Sequence, residues 1–87
     1  MNTITLKFPI KTPAGTVSEL TLRRPKVRDM KLAQQQYPND SAGSELALLA
    51  AITEQKLTPE DLEELDLADY GAVQAAFRTL VGAAGGD

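Results

Sequence analysis

Apolar and polar positions along this chain change period near residue 24. Ile4, Leu6, Phe8 and Ile10 alternate with Thr3, Thr5, Lys7 and Lys11, the two-residue period of a strand with one buried face. Pro9 places that strand at an edge or near its end. Val17, Leu20 and Leu22 interleave with Ser18, Glu19, Thr21 and Arg23, and the change of parity after Val17 predicts a bulge near the turn. Between these runs, Thr12-Pro13-Ala14-Gly15-Thr16 supplies a proline to fix one turn dihedral and a glycine to take a positive φ. The pattern predicts a β-hairpin over about residues 3–23, whose apolar face the rest of the chain must cover.

Beyond Pro25 the spacing becomes three and four. Val27, Met30 and Ala33 predict the inward stripe of a short helix over 26–36, and 37–43 reads as a loop. Ser44 is the expected cap of a helix from Glu45 to about Gln55, with Leu46, Leu49, Ala50, Ile52 and Thr53 inward. Thr58 is the expected cap of a helix that starts at Pro59 and carries Glu60 and Asp61 in its first turn. Asp66 is the expected cap of the last helix, with Asp69 at its third position in a variant capping box. There Leu67, Tyr70, Val73, Phe77, Leu80 and Val81 form an apolar stripe, and Gly71 offers room for another helix to approach. Residues 1–81 read as one domain and 82–87 as a flexible, glycine-rich tail. The fold class is α+β: an N-terminal β-hairpin followed by three or four short α-helices.

Composition narrows the chemistry. The 87 residues hold no cysteine and no histidine, which excludes disulfides, thiolate metal sites and imidazole acid–base catalysis. Only Phe8, Tyr37, Tyr70 and Phe77 are aromatic, so the core is aliphatic. Glu60, Asp61, Glu63, Glu64, Asp66 and Asp69 are better explained as caps and a solvated face than as a catalytic pair. Neither a nucleophile nor a metal-binding loop accompanies them, so the expectation is no enzyme, no metal and no cofactor. No apolar run reaches the ~20 residues of a membrane span. The first residues lack the basic and apolar regions of a signal peptide, so a cytoplasmic site is expected.

Charge is unevenly distributed. Residues 1–36 hold seven basic and two acidic side chains, whereas 37–87 hold two basic and ten acidic. Either the halves attract each other within the fold, or the surface is dipolar and steers a charged protein or a second copy. Arg23-Arg24-Pro25-Lys26-Val27-Arg28 looks like a nucleic-acid patch. No aromatic residue interleaves with it, however, and the sequence pI is about 4.8. Asp66 and Asp69 would also repel phosphates at the start of the last helix, so nucleic acid is not an expected ligand. Adjacent apolar pairs at 48–49, 50–51 and 75–76 widen the apolar arcs of two helices. That width implies a second layer or a groove for a partner helix.

Four pieces of the chain, taken together, resemble one family. They are the hairpin with Ile4-x-Leu6 and Leu20-x-Leu22-Arg23, and the segment Arg24-Pro25-Lys26-Val27-Arg28-Asp29-Met30. The Leu-rich helix Glu45-Leu46-Ala47-Leu48-Leu49-Ala50 follows, and then Leu62-Glu63-Glu64-Leu65-Asp66-Leu67-Ala68-Asp69-Tyr70. The order is similar to that of the small tail assembly chaperones of Mu-like and P2-like contractile-tailed bacteriophages and prophages, over about residues 3–80. Lys26 stands where threonine is frequent in that family, and Glu54-Gln55-Lys56 replaces its usual glycine after the Leu-rich helix. The resemblance implies a non-enzymatic chaperone in the host bacterial cytoplasm. It would keep the long helical tape measure protein soluble and help the tail tube polymerise around it. The tail tube subunit and a second copy of the chain are further candidate partners. Client contact would fall on Leu46, Leu49, Tyr70, Val73 and Phe77, with Arg23, Arg24 and Arg28 on the rim, although each is equally compatible with a place in the fold. A structural or adaptor protein of the phage particle is the alternative, and a regulatory nucleic-acid binder the more distant one.

Overall fold

The computed structural model describes residues 2–85, with side chains described for 3–82. Strands β1 (Asn2–Thr12) and β2 (Gly15–Leu22) form an antiparallel hairpin. Four helices follow: α1 (Val27–Gln36), α2 (Ser41–Ile52), α3 (Pro59–Leu62) and α4 (Leu67–Gly85). The α+β class is as the sequence predicts, but α4 is a long helix of 19 residues. Of the predicted tail at 82–87, residues 86–87 lie outside the described residues.

The turn forms as its residues dictate. Gly15 takes φ +131°, and the Thr12 hydroxyl accepts from the Ala14 N–H and donates to the Gly15 carbonyl. The bulge falls on the other strand from the one the sequence suggests. Between the pairs Thr5–Glu19 and Ile10–Val17, β1 has four residues and β2 has only Ser18. Alternation in β1 therefore breaks: Leu6 and Ile10 are buried, whereas Phe8 is 56% exposed.

That bulge leaves backbone donors to satisfy, and Asp69 satisfies them. Its carboxylate accepts from the Lys7 N–H at 3.0 Å and the Phe8 N–H at 2.9 Å. The side chain is 3% exposed and fastens the first turn of α4 to β1. The predicted capping-box role for Asp69 is thus replaced by a long-range one. Asp66 does cap α4, accepting from the Ala68 N–H at 3.0 Å. Thr58 and Asp61 form a reciprocal capping box on α3, each side chain accepting from the other's N–H at 3.1 Å.

Helix α2 starts earlier than its pattern suggests. Asp40, not Ser44, is the cap, with its carboxylate accepting from the Gly43 N–H at 2.9 Å. Gly43 leaves room for this cap, because a Cβ there would lie 2.5 Å from the Asp40 carboxylate and 2.7 Å from the Tyr37 ring and would push one of them aside. The helix stops at Ile52, short of Gln55, because the next residues pair with β2. Arg23 N–H donates to the Ile52 carbonyl and Glu54 N–H to the Thr21 carbonyl, each at 2.9 Å. The Gln55 side chain accepts from the Thr21 N–H.

Leu6, Ile10, Leu20, Leu22, Leu49, Ala50, Ile52, Leu57, Leu62 and Val73 make the core. On α1 the inward residues are Asp29 and Ala33, while Val27 and Met30 are exposed against expectation. On α4, Leu67 and Val81 are exposed at the two ends of the predicted stripe. Gly71 faces open space instead of a close neighbour.

Both departures from the family pattern fall where the backbone asks for a different residue. Lys26 is the N-cap of α1, yet an ammonium has no lone pair to offer and no side-chain cap forms. Lys56 holds φ at +58°, a conformation that costs an L-residue about 1 kcal/mol more than glycine. Lys26→Thr and Lys56→Gly are each expected to stabilise the fold by about 1 kcal/mol. Thermal melts would show each as a rise of about 4–8 °C. A fall in either melt would contradict the corresponding assignment.

Candidate partner-binding groove

Helices α2 and α4 face each other across an open groove. Core packing sets both positions: Leu49 and Ala50 bury the far side of α2, and Val73 seats α4 on the hairpin. One lobe of about 330 Å³ lies between α1, α2 and α4 and is lined by Met30, Ala33, Leu48 and Phe77 together with Gln34, Ser44 and Arg78. A second lobe of about 360 Å³ continues toward α3, lined by Leu46, Leu62, Leu65, Leu67 and Tyr70 together with the exposed Glu63.

The lobes meet at Glu45 and Gln74, which line both. The Glu45 carboxylate accepts from the Tyr70 hydroxyl at 3.0 Å and from the Gln74 amide at 2.8 Å. Burial, then the hydrogen bond to Glu45 and its negative charge, push the Tyr70 phenol up to about 12. Tyr70 therefore stays a donor at any physiological pH. Among the described residues no cation stands within ion-pair distance of Glu45. The groove is thus mainly apolar in the lobe toward α3, mixed in the lobe beside α1, and carries a carboxylate where the two meet.

The basic segment forms a separate feature. Arg23 meets Asp29 with two parallel hydrogen bonds of 3.0 and 3.1 Å, and also donates to the Arg24 and Ala51 carbonyls. Asp29 accepts in addition from the Lys26 N–H at 2.8 Å. The Arg23 hydrogen bonds, and then the Lys26 amide, hold the Asp29 carboxyl below the usual carboxylate range. Arg24 is exposed and reaches the Leu80 carbonyl at 3.4 Å, and Arg28 is exposed. Among the described residues Arg23–Asp29, within the basic half, is the one ion pair, so no ion pair joins the basic half to the acidic half.

The sequence that builds this arrangement, from hairpin to α4, matches a known family. A profile described as phage tail assembly chaperone proteins, E, or 41 or 14, matches residues 3–82. The chain belongs to that family. No curated protein and no solved structure matches it. Membership gives the chaperone a role in tail assembly and interaction with phage tail proteins, and argues for a non-enzymatic mode of action. Among its described residues no helix is long and apolar enough to cross a membrane.

The chaperone's predicted contact residues divide into three groups. Leu46, Tyr70 and Phe77 line the groove. Leu49 and Val73 lie beneath it, each 1% exposed, in the core. Arg23 and Arg28 line a separate hollow with Lys26 and Asp29, whereas Arg24 reaches across to the Leu80 carbonyl of α4, and none of the three lines either lobe. Sequence reasoning missed Met30, Leu48, Glu45, Gln74 and Arg78. Leu48 was visible as one of two adjacent leucines, but only the observed helix orientation decides which of the two faces the core.

Proposed function

We propose that the chaperone binds the tape measure protein of its own phage tail, keeps it soluble and promotes tube polymerisation around it. The supporting observation is the α2–α4 groove, an open apolar channel suited to the apolar face of a helical client. Its working residues are Leu46, Leu48, Tyr70 and Phe77, held at the surface by a core that includes Leu49 and Val73. The exposed cations Arg24 and Arg28 serve as an outer rim that steers acidic client segments. A chaperone of this kind needs reversible contact with a long client and no covalent step.

Co-expression with the tape measure protein of the same phage tests this reading. The soluble fraction of that protein is expected to rise several-fold over an unrelated small-protein control, and the chaperone to be missing from purified virions. Unchanged solubility would remove the proposal, and stoichiometric retention in the particle would favour a structural role instead.

A further inference from the structure

One face of α4 repeats with a particular spacing, the first four residues of the row lining the groove and Val81 continuing it one turn beyond. Leu67, Tyr70, Gln74, Phe77 and Val81 are separated by steps of three and four, the seam of a two-helix contact. The ends of this seam are apolar and open to solvent: Leu67 is 81% exposed and Val81 46%. Its centre is polar, where Gln74 and Tyr70 donate to Glu45. No helix among the described residues fills the seam, since α4 rests on β1 and α2 reaches it only across the groove.

We propose that the groove takes a single amphipathic helix of a partner protein, laid along α4 from Leu67 to Val81. This helix carries apolar residues toward both ends and a lysine or arginine at its centre, opposite Glu45. The length of the seam, about four turns or 21 Å, sets the length of the segment. The central cation follows from charge. Glu45 is half-buried, and among the described residues it accepts only from neutral donors and has no cation within ion-pair distance. An apolar seam laid over it would strip its water and supply no counter-charge, whereas a cation would compensate it and fix the register. The lips add direction, because Glu63 stands at the lobe near Leu67 and Arg78 at the lobe near Phe77. The partner helix therefore runs with its more basic end toward Glu63 and its more acidic end toward Arg78.

This inference rests on the groove being the client site, and its test is independent of which protein the client is. Fluorescent, alanine-based helical peptides of about 15 residues would carry leucine at the outer seam positions and lysine, leucine or glutamate at the centre. They would be titrated with the full chain. The lysine-centred peptide is expected to bind about tenfold tighter than the other two. Glu45→Gln should erase that preference, and Glu45→Lys should turn it toward the glutamate-centred peptide. Leu67→Lys with Val81→Lys, both at exposed positions that leave the core intact, should weaken all three peptides. Equal binding of the three, no binding at all, or a preference that survives Glu45→Gln would overturn the proposal. A free chain that self-associates in sedimentation, and is dispersed by Leu67→Lys, would assign the groove to a second copy instead. Failure with these designed peptides leaves the co-expression result untouched. An insoluble tape measure protein alongside normal peptide binding would count against the functional reading alone.

Discussion

Asp69→Ala is expected to destabilise the fold by about 2–4 kcal/mol, a large share of the roughly 4–13 kcal/mol available to a domain of this size. The carboxylate is the acceptor for two consecutive amides, Lys7 N–H and Phe8 N–H, which the bulge in β1 removes from the strand ladder. Removing it leaves both donors without a protein acceptor and cuts a link between β1 and α4. Asn cannot substitute well, because its amide would turn a donor toward one of the two donors. A melting temperature lower by roughly 10–25 °C is the expected readout. Faster hydrogen exchange at the Lys7 and Phe8 amides would localise the effect. Asp66→Ala is the control: it removes a single N-cap and should cost only about 1 kcal/mol. Equal effects at the two aspartates would show that Asp69 is merely another cap.

The contrast between these two aspartates shows what local pattern can and cannot read. Thr58 and Asp66 were legible because a cap acts within three residues of itself. Asp69 looked like part of the same motif, yet its partners lie some 60 residues away at a bulge. The apolar alternation of Ile4, Leu6, Phe8 and Ile10 hid that bulge, and Pro9, which lies among its four residues, was its one local signal, equally compatible with an edge or a strand end. Pattern reading also failed on α1 for an electrostatic reason. An apolar count turns Val27 and Met30 inward, whereas the observed helix buries Asp29, because Arg23 and the Lys26 amide compensate its charge. At the groove, Leu46, Tyr70 and Phe77 were identifiable as helical stripe residues. Glu45 was not, because its role depends on where α4 passes, which the packing of Val73 and Asp69 on the hairpin decides.

Asp29→Ala is the second substitution with a large expected effect, about 2–3 kcal/mol. Asp29 joins two parts of the molecule directly, the end of β2 through Arg23 and the start of α1 through the Lys26 N–H, and it orients the Arg23 guanidinium that also donates to the Ala51 carbonyl of α2. It is 7% exposed, so water cannot simply replace those bonds. Arg23 keeps solvent access, with 42% of its side chain exposed, so Arg23→Ala should cost less than Asp29→Ala. The double variant should fall short of the sum of the two, because both remove the same paired contact. Arg23→Lys should not rescue it, since an ammonium cannot reproduce the paired geometry of the guanidinium. Acid supplies an independent check. The folded-state carboxyl is held below its ordinary value, so the stability it contributes is complete above about pH 4 and is lost as pH falls through the lowered folded value. The gap between wild-type and Asp29→Ala melting temperatures, roughly 10–20 °C at neutral pH, should therefore narrow steadily as the solution is acidified. A gap of constant size across that range would mean that packing of the Asp29 side chain, and not its charge, holds α1 in place.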